Sequence, residues 1–140
     1  MVQRGCTLSG MKTFLTLVGF IALAVGSLAL LLPVHLLASK GAAPAPATVV
    51  WVREVGVNIF ALGVMSMLMR GHAPSPTLRA FLVGNAVVQL GLLPIELLAW
   101  RDGTLTEVSG IIPNSVLHAV LGATFVVLAL RMRGVHDAAR

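Results

Sequence analysis

Residues 13–39 read TFLTLVGFIALAVGSLALLLPVHLLAS, an unbroken run without one Asp, Glu, Lys or Arg. A helix rises about 1.5 Å per residue, so roughly 20 apolar residues cross the ~30 Å hydrocarbon core of a bilayer. Three more stretches are of the same kind, 48–69, 80–100 and 108–130, interrupted only by Arg53, Glu54 and Glu96. Together the four make up most of the chain, in which 57% of residues are apolar and 11% charged. Water-soluble domains have about a quarter of their residues charged, so a soluble fold is excluded. The expected fold is all-α, a polytopic bundle of four transmembrane helices at about 13–38, 49–70, 78–100 and 111–132. These make one integral membrane domain over residues 1–140.

The connections carry helix-breaking residues: Gly41, Pro44 and Pro46, then Gly71, Pro74 and Pro76, then Arg101-Asp102-Gly103. Thr48 and Thr77 are expected to cap the second and third helices, and Pro113 to sit in the first turn of the fourth, which then starts near Ile112. Loop charge sets the orientation, because Lys and Arg are retained on the cytoplasmic side. Arg4, Lys12, Arg70, Arg79, Arg131, Arg133 and Arg140 fall on one side; Lys40 and Arg101 fall on the other. Both termini are therefore expected in the cytoplasm, with Trp51 and Trp100 at the outer interface, where amphipathic rings prefer to lie. A bacterial cytoplasmic membrane is the expected location. The apolar run from Phe14 to Leu32 is too long for a typical signal-peptide core, so the first helix is read as uncleaved. Met11-Lys12 also reads as a start, and Met1 and Met11 both stay open as the first residue.

An internal echo joins LLPVHLLA at 31–38 to LLPIELLA at 92–99, six matches in eight, each closing an outward-running helix. A duplicated hairpin would make two parallel repeats; chance in a leucine-rich chain is the competing reading. Glycines recur two helical turns apart at 19 and 26, 56 and 63, and 84 and 91. Each pair is expected to form a small-residue stripe for close helix approach, which is a packing signal.

Chemistry resides in the polar residues within the spans, since side chains that form hydrogen bonds are expensive against lipid and turn inward. At about 100° per residue, Asn85, Gln89 and Glu96 lie within about 40° of one another. Glu54 and Asn58 are one turn apart, as are Asn114 and His118, with Ser115 adjacent. Counted at ~1.5 Å per residue from the outer boundary, Arg53, Glu54 and Glu96 lie within roughly 6 Å, Asn58 and His118 about 10–12 Å in, and Gln89 near the midplane. A polar pocket open to the outer leaflet is expected.

Such a pocket has two uses. In one it binds a small lipophilic molecule and can transform it by isomerisation, cyclisation or epoxide opening. Glu96 or Glu54 with His118 would then act as acid and base, Arg53 would stabilise negative charge, and Asn58, Gln89, Asn114 and Asn85 would orient the ligand. In the other the protein is a non-catalytic membrane subunit or scaffold whose polar groups, Asn85, Gln89, Ser115 and Thr124 first among them, hold helices or partners together. Membrane lipid is the expected surrounding partner; a homodimer or a second membrane subunit is compatible with the glycine faces.

Other classes drop out. One cysteine, Cys6, gives no thiol pair for disulfide exchange. The ten basic residues are scattered singly, which speaks against nucleic acid. The histidines lack metal-ligand spacing, and no cofactor is expected. His35 reads as an interface residue, and His72 and His136 as loop and tail residues.

Arg53-Glu54 opening the second helix, the glycine stripe behind it and the acidic turn Asp102–Glu107 before the last helix resemble the small bacterial four-helix proteins of the DoxX-like group. The likeness is architectural and covers 12–131. It implies a four-span membrane bundle, in a group whose biochemical role is mostly unassigned. Small multidrug transporters are set aside because residues 13–39 lack an acidic residue. Membrane glutathione-transferase-like proteins are set aside because the chain has no tyrosine.

Overall fold

The computed structural model describes the backbone of residues 2–137 and the side chains of residues 9–132. The start-site reading of Met1 and the side chains of Arg4, Cys6, Arg133, His136 and Arg140 lie outside the described residues. Five helices follow in order: α1 (Val2–Leu31), α2 (Pro33–Ser39), α3 (Pro46–Met69), α4 (Pro76–Arg101) and α5 (Val108–Asp137). Among the described residues the fold is wholly helical. Four segments are long and apolar enough to cross a membrane: Ser9–Leu31, Pro46–Met69, Pro76–Arg101 and Val108–Met132. At about 1.5 Å per residue each exceeds the ~30 Å hydrocarbon core.

Proline chemistry explains where the helices depart from expectation. The first span is not one helix to residue 38. Leu32 leaves helical geometry at φ −128° and ψ 49°, and Pro33 opens α2. A residue before proline is pushed out of the α region by the ring. The Leu32 and Leu36 amides still bond to the carbonyls of Leu28 and Leu32, so the chain kinks without unravelling. Pro94, the equivalent residue of the echo, sits inside an unbroken α4. The two copies share sequence but differ in conformation.

The helix starts also differ. Ala45 and Ser75, not Thr48 and Thr77, are the N-caps, each followed by proline at the first helical position. Proline's fixed φ and missing N–H suit that position, and the Ser75 hydroxyl oxygen accepts from the Leu78 amide at 3.2 Å. Helix α5 begins at Val108, ahead of Ile112. The amides of Gly110 and Ile111 already bond to the Glu107 carbonyl, which leaves Pro113 inside the helix.

Two helix ends use one device. Gly41 and Gly103 take positive φ, 69° and 71°. Their amides bond to the carbonyls of Ala38 and Trp100, and the following amides, of Ala42 and Thr104, reach back to Leu37 and Ala99. This is the Schellman closure, in which glycine avoids the left-handed penalty and the last carbonyls are satisfied.

The chain forms two compact units, Met1–His72 and Ala73–Arg140. Each is built on an antiparallel helical hairpin. In the first, α1 and α3 meet through glycines in backbone contact. A methyl on Gly26 would lie 2.6 Å from the Phe60 nitrogen. On Gly63 it would lie 2.8 Å from the Leu23 nitrogen, and on Gly56 3.1 Å from the Gly26 carbonyl oxygen. Lipid gives no hydrophobic drive between helices, so such close approach supplies the dispersion contact that holds them. Ser66, fully buried one turn beyond Gly63, bonds to its own Leu62 carbonyl at 2.8 Å and extends this small-residue seam.

In the second unit, the expected seam at Gly84 and Gly91 is absent; a methyl there would meet nothing within 4 Å. The buried face of α4 is instead Leu78, Leu82, Asn85, Ala86 and Glu96. On α5 it is Ile111, Leu121, Phe125, Ala129 and Met132. Gly122 is the close-approach residue of this unit, and a methyl on it would strike Leu90 Cδ2 at 2.5 Å. The larger side chains on this face leave room for polar groups between the helices.

Replacing Gly26 or Gly63 by alanine is therefore expected to lower stability by ~1–3 kcal/mol through overpacking. Gly84→Ala, with open space around it, should be neutral or slightly stabilising. Thermal unfolding of the purified variants in one detergent checks the contrast.

Candidate functional site

Glu96 places a carboxyl group within a segment long and apolar enough to span a membrane, and it is only 7% exposed. At about 3.6 residues per turn it lies a whole number of turns beyond Leu78, and so on the same buried face of α4. Facing it on α5 are Asn114 and Ser115. The Asn114 side-chain amide donates to Glu96 Oε1, and the Ser115 hydroxyl donates to Oε2 at 2.8 Å. Both carboxylate oxygens are thus met by neutral donors from the opposite helix. Hydrogen bonds to a charged acceptor are about twice as strong as neutral ones, and an unmet carboxylate in hydrocarbon is strongly unfavourable.

A second cross-helix pair lies deeper. Gln89 is two turns before Glu96, on the same stripe of α4. Its Oε1 is 2.5 Å from His118 Nδ1. His118 is one turn beyond Asn114 on α5, and both residues of the pair are half-buried. An amide oxygen only accepts, so in this contact the His118 Nδ1 is the donor. The α4–α5 seam therefore holds a carboxyl group and an imidazole, each hydrogen-bonded to neutral side chains of the facing helix.

The other expected site residues have different hydrogen-bond partners or none among the described residues. Asn85 is buried but donates to the Phe81 carbonyl of its own helix at 3.0 Å. Asn58 likewise donates to the Glu54 carbonyl at 2.9 Å. Arg53, Glu54 and Asn58 belong to the first unit and are exposed on α3. Glu54 and Asn58 each lie roughly 160° around the helix from Gly56, on the pole turned away from α1. Their side chains and that of Arg53 do not contribute to the α1–α3 seam.

Ser115 joins the site as a direct donor to Glu96, where sequence alone read it as packing. The available signal was its spacing: with Asn114 it flanks the stripe that leads to His118. Thr124, by contrast, bonds to its own Val120 carbonyl. His35 is exposed. His72 is exposed too, with Nδ1 3.1 Å from the Leu68 carbonyl oxygen. Among the described residues no three His, Cys, Asp or Glu side chains gather as a metal site.

Compared with protein-family profiles, curated proteins and solved structures, the chain matches none. The class is accordingly defined by its own geometry: a helical protein with four segments able to cross a membrane, and a polar seam in its second hairpin.

If Glu96 and Asn114 act as a pair, Glu96→Leu and Asn114→Leu should not be additive. The double variant is expected to recover ~0.6 kcal/mol of the summed losses, the average for interhelical hydrogen bonds in membranes, and at most ~1.7 kcal/mol. Reversible unfolding in mixed micelles gives the four stabilities, and strict additivity would dissolve the pair.

Proposed function

We propose that this is a multi-pass protein of a bacterial cytoplasmic membrane, with both termini in the cytoplasm, whose α4–α5 seam binds a small lipophilic molecule. The ligand lies in the outer half of the bilayer and presents a polar group to the seam. One observation carries the reading: Glu96 and His118, an acid and a base, share one hairpin seam and are each oriented by a neutral side chain. Interhelical adhesion needs no ionisable group, since Asn, Gln and Ser suffice for it. Ionisable residues within membrane segments mark functional sites by default. The chemistry this pair could supply is proton transfer on a bound lipophile, such as isomerisation, ring closure or epoxide opening.

A second reading is favoured by a separate observation, that both Glu96 oxygens are already engaged. In it the polar residues hold a non-catalytic scaffold or subunit together.

The two readings part on Glu96→Gln and His118→Ala. Full-length protein is purified from native membranes and its co-purifying lipophiles are extracted and quantified by mass spectrometry. A binding site predicts a bound compound in the wild type, reduced about tenfold in each variant, as expected for losing ~1.4 kcal/mol of contact. The melting temperatures should stay close to that of the wild type. A scaffold predicts no enriched compound and a clear loss of thermal stability in both variants.

A further inference from the structure

The face of α3 turned away from α1 presents a polar stripe that the seam chemistry does not use. Glu54 and Asn58 lie on the pole opposite Gly56, with Met65 continuing the stripe at 42% exposure. Arg53 lies about 100° around the helix from Glu54, on the flank. Among the described residues, the Arg53 guanidinium and the Glu54 carboxylate enter no hydrogen bond or ion pair. The Asn58 amide has one bond, to the Glu54 backbone carbonyl, so its oxygen and second N–H are unused there. All three belong to Pro46–Met69, a segment apolar enough to span the membrane. Facing acyl chains, such a stripe would be costly.

The arrangement is self-complementary. Copies of one chain insert with one orientation, so a twofold axis normal to the bilayer sets each residue opposite its equivalent at the same depth. Glu54 then faces the second copy at the level of that copy's Arg53. The long arginine side chain, on the flank, reaches around to the opposing carboxylate. One turn deeper, two Asn58 amides meet, and an amide carries both the donor and the acceptor that pair with its own kind. Two reciprocal ion pairs and one amide pair close the stripe, with Val57 and Val50, both more than half exposed, on one flank of it.

We propose that this face of α3 is the contact of a homodimer, docking a second copy of the same chain through Arg53, Glu54 and Asn58. It stands independently of the ligand site on α4–α5. The assignment uses charge of both signs at one level, which an acyl chain cannot answer.

The test uses the full chain with Cys6→Ser to remove its native thiol. Asn58→Cys is introduced, and oxidised native membranes are run on a non-reducing gel. A disulfide-linked species at twice the 14.6 kDa chain mass is expected. Leu17→Cys, on the pole of α1 turned away from α3, should give none. Separately, mass photometry in nanodiscs should show a wild-type dimer whose association Glu54→Gln and Asn58→Val each weaken about tenfold. The α1–α3 seam, and so the fold, should be left intact. A wild-type monomer in nanodiscs together with no Asn58→Cys linkage would overturn the proposal, and would assign the stripe to another segment of the same chain or to lipid. Linkage from Leu17→Cys as efficient as from Asn58→Cys would overturn it equally.

Discussion

A carboxyl group inside a membrane span has to be met by donors, and that requirement organises the second half of this chain. Glu96 is almost wholly buried, and Asn114 and Ser115 supply an N–H and an O–H to its two oxygens. The register of α4 on α5 follows from this. With Glu96 opposite 114 and 115, two turns back along α4 brings Gln89 to His118, and the next residue, Leu90, to Gly122. A one-residue slip would rotate these partners away from one another by about 100° and leave the carboxylate against lipid.

The two hairpins are held by different physics. Between α1 and α3 four glycines bring backbones together, and adhesion comes from dispersion between these close backbones and side chains beside them such as Leu23, Phe60 and Met67. Between α4 and α5 large buried apolar residues such as Phe125 and Leu82 supply the packing, and hydrogen bonds between side chains fix the register. In the first seam a methyl added to a glycine would meet backbone atoms of the facing helix, whereas in the second polar side chains of both helices meet.

The sequence made the spans plain because their signal is composition summed over a whole membrane crossing, which no single position can spoil. Glu96 and His118 were legible for the same kind of reason, as rare ionisable groups in apolar surroundings. Boundaries were not, because each proline acts according to local geometry. Pro33 kinks the chain, Pro46 and Pro76 start helices, and Pro94 and Pro113 lie inside them. Glycine spacing was equally ambiguous: the pairs at 19 and 26 and at 56 and 63 build a seam, whereas 84 and 91 have the same period and open space around them. Period states that residues share a face; only the partner helix decides which face is used. Asn58 and Asn85 illustrate the same point, because a helical asparagine can turn to its own backbone carbonyl, an option invisible in residue type.

The claim on which the functional reading rests is that Glu96 meets α5 within the bilayer and not the acyl chains. Solid-state NMR of the full chain in lipid bilayers, labelled to report the Glu96 carboxyl carbon and the Asn114 side-chain nitrogen, measures this directly. A through-space cross-peak between the two, with no transfer from lipid methylene protons to the carboxyl, is the predicted result. Transfer from acyl-chain protons to Glu96 without a cross-peak to Asn114 would contradict it.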